Sequence, residues 1–99
     1  MAAELRILDG PDNVVELNGE IDTHTAPSLE LHLDQVDDAG SVILDLAGVS
    51  FISSAGLTAM LTTQSRLAAG GGSLAVRNPT PAVERMISLS GLTDLLGGN

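Results

Sequence analysis

Apolar residues along this chain cluster in short runs separated by glycine, proline, asparagine and aspartate. Leu5-Arg6-Ile7-Leu8 predicts a first strand, closed by the turn formers Asp9-Gly10-Pro11-Asp12-Asn13. Val14-Val15-Glu16-Leu17 predicts a second, ended by Asn18-Gly19, and the spacing suits a hairpin with a longer loop. Residues 25–38 carry two patterns at once. Leu29, Leu31 and Leu33 alternate with polar neighbours as in a strand, while Leu29, Leu33 and Val36 follow a helical i, i+4, i+7 stripe. The boundary signals favour a helix: Thr25 can cap it, Pro27 fits a first turn, and Asp38-Ala39-Gly40 stops it.

Val42-Ile43-Leu44-Asp45-Leu46 alternates little and predicts a strand covered on both faces. Beyond Ala47-Gly48, the run Val49 to Ile52 leads into Ser53-Ser54-Ala55-Gly56 and a helix reaching about Ala69. Its expected inward stripe is Leu57, Met60, Leu61, Gln64, Leu67 and Ala68. Its expected outward face, Thr58, Thr62, Thr63, Ser65 and Arg66, carries no acid. Gly70-Gly71-Gly72 reads as a helix stop and turn, and Leu74-Ala75-Val76 as a further short strand. Thr80-Pro81 starts a last helix with Val83, Met86, Ile87 and Ser90 on one face, ended by Gly91. Strands alternating with helices predict βαβ units and a partly parallel sheet, an α/β fold.

At 99 residues the chain reads as one domain, residues 1–99. A hydrophobic fraction of 43% excludes disorder by composition. With no cysteine there are no disulfides, thiolate metal sites or cysteine nucleophiles, and two histidines, His24 and His32, are too few for a histidine-only metal site. No metal or cofactor is expected. No apolar run approaches ~18 residues and the start, MAAELRILDG, lacks a signal-peptide pattern, so neither membrane insertion nor export is expected and the predicted location is cytoplasmic. The net charge of −9, the absence of lysine and a single aromatic residue argue against nucleic acid as a partner. Residues 51–99 are nearly neutral and carry few acids, which suggests a docking face in the second half.

Serine chemistry is the first catalytic possibility, because Ser53-Ser54 lies at a strand-to-helix turn. Neither frame completes the G-x-S-x-G elbow: Ile52 precedes Ser54 where glycine belongs, and Phe51 and Ala55 flank Ser53. His24 and Asp22 are two residues apart, a poor spacing for a relay. The triple glycine lacks the G-K-[ST] of a phosphate loop, and Asp37-Asp38 reads as a solvated helix end. An enzyme is not expected. Ser54 then has two compatible readings. It is a helix N-cap, or it is a phosphoacceptor at a helix N-terminus, where free N–H groups and the helix dipole tolerate a phosphate.

The segment Val42-Ile43-Leu44-Asp45-Leu46-Ala47-Gly48-Val49-Ser50-Phe51-Ile52-Ser53-Ser54-Ala55-Gly56-Leu57 resembles the signature of STAS domains, the fold of bacterial anti-anti-sigma factors. Leu17-Asn18-Gly19-Glu20-Ile21-Asp22-Thr23-His24-Thr25-Ala26 is similar to the family's G-E-[LI]-D loop and T-A helix start. Asn78 to Leu92 resembles its closing P-x-V-x-R-x-[LIF]-x-x-[ST]-G-L element. Together these cover most of the chain, in order. The resemblance implies a mixed four- to five-stranded sheet with βα units and packed helices. It also implies an anti-sigma factor antagonist. In the family, the unphosphorylated protein binds an anti-sigma factor that is a GHKL-type serine kinase and so frees a sigma factor. Phosphorylation of a serine at a helix start ends the binding, and a phosphatase resets it. The matching phosphoacceptor is Ser54, with Ser53 where the family often has aspartate. The implied partner contacts are Asp22, Thr25, Ser53, Ser54, Gly56, Thr58 and Thr62, whereas Asp45 reads as structural. Gly56 is expected to permit a close backbone approach or a positive φ. The alternative is a STAS subunit of a lipid-transport ABC complex or a stressosome, docking without the phospho-switch.

Overall fold

Two short strands start the chain as an antiparallel hairpin: β1 (Leu5–Asp9) pairs with β2 (Val14–Ile21), Ile7 opposite Leu17. The computed structural model describes residues 4–91. After β2 come α1 (Ala26–Leu33), β3 (Ser41–Ile52), α2 (Ser54–Ala69), β4 (Ser73–Arg77) and α3 (Pro81–Leu89). The sheet order is β1-β2-β3-β4, with β2, β3 and β4 parallel. The predicted mixed α/β sheet is therefore present, with four strands among the described residues. Both βαβ crossovers step the same way across the sheet, which puts α1 and α2 on one face, packed against each other. The core lies between that face and the helices, around Leu17, Leu29, Leu44, Leu46, Met60, Leu67 and Ile87.

Several boundaries differ from expectation. Asn18-Gly19 does not end β2. The strand continues to Ile21, and shifts in its pairing with β3 absorb the irregularity. Gly19 has φ +121, and a side chain there would collide with the carbonyl of Glu4, whose oxygen accepts the Glu20 N–H at 2.9 Å. Ala47-Gly48 likewise lies inside β3, a single strand of 12 residues. The Val42–Leu46 run is not covered on both faces: Val42, Leu44 and Leu46 are buried, while Ile43 and Asp45 are half-buried on the opposite side. That is the alternation of a sheet with helices on one face.

The first helix is shorter than the predicted 25–38. It ends at Leu33 in a tighter turn, where the Gln35 and Val36 N–H groups reach His32 O and Leu33 O, and Arg66 of α2 braces that turn by donating to Leu33 O and Val36 O, each at 2.9 Å. Leu33 O also accepts the Val36 N–H at 3.0 Å, so the guanidinium adds a second bond at the end of the helix, where partial negative charge favours a cation. In α2 the expected stripe is displaced. Thr63 is buried and Leu61 is 39% exposed, because Met60, Thr63 and Leu67 take the i, i+3, i+7 positions facing the core. In α3, Val83 and Ile87 are buried but Ser90 is exposed at the C-cap. Gly91, at φ +75, ends that helix as predicted. Leu92, the last position of the closing element, and Asp94 lie outside the described residues.

Candidate partner-docking site

Ile21 and Ile52 are paired neighbours at the ends of β2 and β3, so the chain leaves both strands at the same edge of the sheet. The Ser53 N–H donates to Ile21 O at 2.8 Å and continues that ladder by one bond. Two loops thus meet here, one entering α1 and the other entering α2. Carboxyl ends of parallel strands are where open α/β sheets gather functional loops.

Asp22 organises the first loop. Its Oδ1 accepts the backbone N–H groups of His24 at 2.8 Å and Thr25 at 3.0 Å. The Thr25 N–H bond, followed by the one from His24, holds the carboxyl below the usual aspartate range, since each favours the ionised form. The bond reaches the His24 backbone rather than its imidazole, so Asp22 and His24 form no relay. Thr25 is buried, 6% exposed. Its hydroxyl donates to Glu20 O at 2.8 Å and accepts from the Asp22 N–H at 2.9 Å. Thr25 therefore sets the loop's shape and offers no surface to a partner, which corrects its expected role as a contact.

The two serines separate cleanly. Ser53 is the N-cap of α2, with extended backbone (φ −97, ψ 175), and Ser54 is the first helical residue. The expected Ser54 cap is thus one residue out of place. Ser53 makes no side-chain cap bond, and its Oγ is buried without a hydrogen-bond partner. Ser54 is exposed. That burial withdraws the Ser53 hydroxyl from any partner, while the residue as a whole is half-buried. Gly56 is also buried, and a β-carbon there would lie 2.5 Å from Ile21 Cγ2 and 2.9 Å from Ile52 Cγ1. Its role is close packing of the α2 start onto two side chains. It makes neither a backbone approach nor a positive-φ turn, and it is no surface contact.

Ser54 and Thr58, one turn apart on α2, line a shallow recess of about 370 Å³ with Ala55, and with Thr23, Ala26, Pro27 and Glu30 of the α1 segment. Thr62 is exposed one turn further along α2 but outside this recess, and Asp22 does not line it. The sequence reading did not place Glu30, Ala26 or Pro27 at the site. Glu30 lies four residues after Ala26 and three after Pro27, a spacing on α1 that puts it on one face with both. That the face borders Ser54 follows only from the packing of α1 on α2. The recess draws on the acidic first half as well as on the neutral second half. Arg66 is not part of a free surface either, being bonded to Asp38 as well as to the end of α1.

Asp45 is structural, as expected. It accepts the Ala47 N–H at 3.0 Å and pairs with Arg77 at 3.2 Å. The Ala47 N–H, then Arg77 and Asn78, lower its pKa against the opposing effect of burial. Among the described residues, no group of three or more histidines, cysteines or carboxylates could hold a metal ion, and no helix is long and apolar enough to cross a membrane.

Comparison with known proteins matches residues 2–98 to the family described as STAS domain. The anti-sigma F factor antagonist of Paenibacillus polymyxa is 29% identical over 86 residues, covering 84% of this chain and 74% of that one. The anti-sigma-B factor antagonist of Bacillus subtilis (strain 168) is 31% identical over 86 residues, covering 86% and 79%. Among solved structures, an anti-sigma factor antagonist from Mycobacterium paratuberculosis superposes with a TM-score of 0.73 at 31% identity, covering 94% of this chain and 81% of that one.

Proposed function

The chain belongs to the STAS domain family, and from that membership we propose that it is an anti-sigma factor antagonist working by partner switching. Its work is binding rather than catalysis, in keeping with the relatives named as antagonists. Unphosphorylated, it binds an anti-sigma factor that is a GHKL-type serine kinase, and a sigma factor is released. The kinase then phosphorylates Ser54 and leaves, and a phosphatase restores the binding form. The exchange takes place in the cytoplasm.

The observation that carries this reading is the contrast at the start of α2. Ser54 is exposed beside a recess, at the first position of a helix of 16 residues, while the neighbouring Ser53 hydroxyl is buried. A kinase reaches the first and not the second. The helix N-terminus supplies free N–H groups and partial positive charge, so the free domain holds a phosphate without refolding. Docking surface is supplied by Thr58, Thr62 and the Asp22 loop. The test is incubation with ATP, magnesium and the cognate anti-sigma kinase, followed by intact mass and peptide mapping. One added phosphate on Ser54, abolished in Ser54→Ala, is expected. A phosphate on Ser53, or none at all, overturns the assignment.

A further inference from the structure

The recess beside Ser54 has a composition that names what fits it. Ala26, Pro27 and Ala55 give it aliphatic walls, and its single charged lining residue is Glu30. Glu30 is exposed and has no ion-pair or hydrogen-bonding partner through its side chain among the described residues. The basic side chains of α1 and α2 are already engaged. His32 lies 2.7 Å from Asp9, and the Arg66 guanidinium holds Asp38 and the end of α1. Asp34, four residues on along the helix, adds negative potential rather than relieving it.

We propose that this recess receives a long cationic side chain, arginine or lysine, from the anti-sigma factor. This rests on the antagonist reading and specifies the chemistry of its partner. The aliphatic stem lies on Pro27 and Ala55, and the charged head reaches Glu30, in the way amphipathic side chains cover apolar surface while keeping their charge at a polar rim. The complementarity is one of sign: an unneutralised carboxylate in a chain of net charge −9 attracts a cation and repels an acid. A phosphate on Ser54 enters the same recess, where its bulk competes with the stem for one volume.

The test is calorimetric titration of the unphosphorylated chain with its cognate anti-sigma factor, over about 0.05 to 0.3 M salt. Three proteins are compared: wild type, Glu30→Gln, and Glu84→Gln on an exposed position of α3, which removes the same charge elsewhere. Both variants keep side-chain size at exposed positions, and thermal melts verify that they fold. Glu30→Gln is expected to weaken binding roughly 3- to 10-fold at low salt and to flatten its salt dependence, with Glu84→Gln close to wild type. Equal effects of the two variants, or unchanged binding by Glu30→Gln, overturn the proposal while leaving the antagonist reading intact. Absence of binding by the wild type overturns both.

Discussion

Asp22 and Thr25 bond to each other in both directions: the Asp22 N–H donates to Thr25 Oγ1 at 2.9 Å, and the Thr25 N–H donates to Asp22 Oδ1 at 3.0 Å. The reciprocity is that of a capping box with the acid first and the hydroxyl three residues later. It closes one turn of chain ahead of α1, with the Ala26 N–H reaching Asp22 O at 2.8 Å. The walls of the Ser54 recess from α1 therefore stand where Asp22 and Thr25 put them.

Thr25→Val keeps the shape of the side chain and removes its oxygen. The Asp22 N–H and Glu20 O then lose their partner in a buried place, at a cost of about 1–3 kcal/mol. Urea denaturation measures this, with Thr25→Ser as the variant that retains the hydroxyl. Equal stability of Thr25→Val and wild type would show that the loop does not depend on the bond.

Acid should weaken the same turn. Asp22 and Asp45 both have folded pKa values below the ordinary carboxylate value of 3.8. Their contribution to stability is thus complete above the unfolded pKa and is lost as pH falls from there through the folded values. Denaturation midpoints measured downward from about pH 5 should drop less steeply in Asp22→Asn than in wild type. An unchanged slope counts against the turn as a source of acid sensitivity.

The serine pair gives opposite expectations from those of a simple cap. Ser53→Ala removes a buried hydroxyl that has no partner, so it should leave stability unchanged or raise it by up to about 1 kcal/mol. Ser54→Ala alters an exposed first-turn residue and should stay within about 0.5 kcal/mol of wild type. A loss above about 1 kcal/mol in Ser53→Ala would mean that its hydroxyl caps α2 after all.

At Gly56 the expected outcome is loss of stability by collision. Gly56→Ala should cost about 1–3 kcal/mol, because its β-carbon would press on Ile21 and Ile52. Ile21→Ala removes the nearest of those atoms, so the double variant should be more stable than the two single losses added together. Strict additivity in equilibrium unfolding would place the strain elsewhere.

Phosphorylation of Ser54 should weaken binding to the anti-sigma kinase on the order of 10²-fold, which requires only ~2.7 kcal/mol. The dianion keeps its water in the free domain but loses it in the complex, where Glu30 also lines the recess. Amide spectra should change mainly near residues 50–60 and at the facing turn of α1. Equal affinities of the two forms in calorimetric titration would sink the switch.

Order and type of the elements were legible in the sequence, because apolar periodicity and turn formers act locally. Pro81 and Gly91 bracket α3 by backbone chemistry alone, and the Ser53-Ser54 turn stands out for the same reason. What the sequence left open depended on atoms distant along the chain. Only tertiary structure sets Arg66, 33 residues from Leu33, against the end of α1. It also decides that Asn18-Gly19 and Ala47-Gly48 continue their strands, since neighbouring strands supply the hydrogen bonds a turn would otherwise close within itself. The site divides the same way. Its serine could be read from a motif, but the choice between Ser53 and Ser54 is one of burial. Glu30 joins Ser54 only because the two crossovers lay α1 against α2.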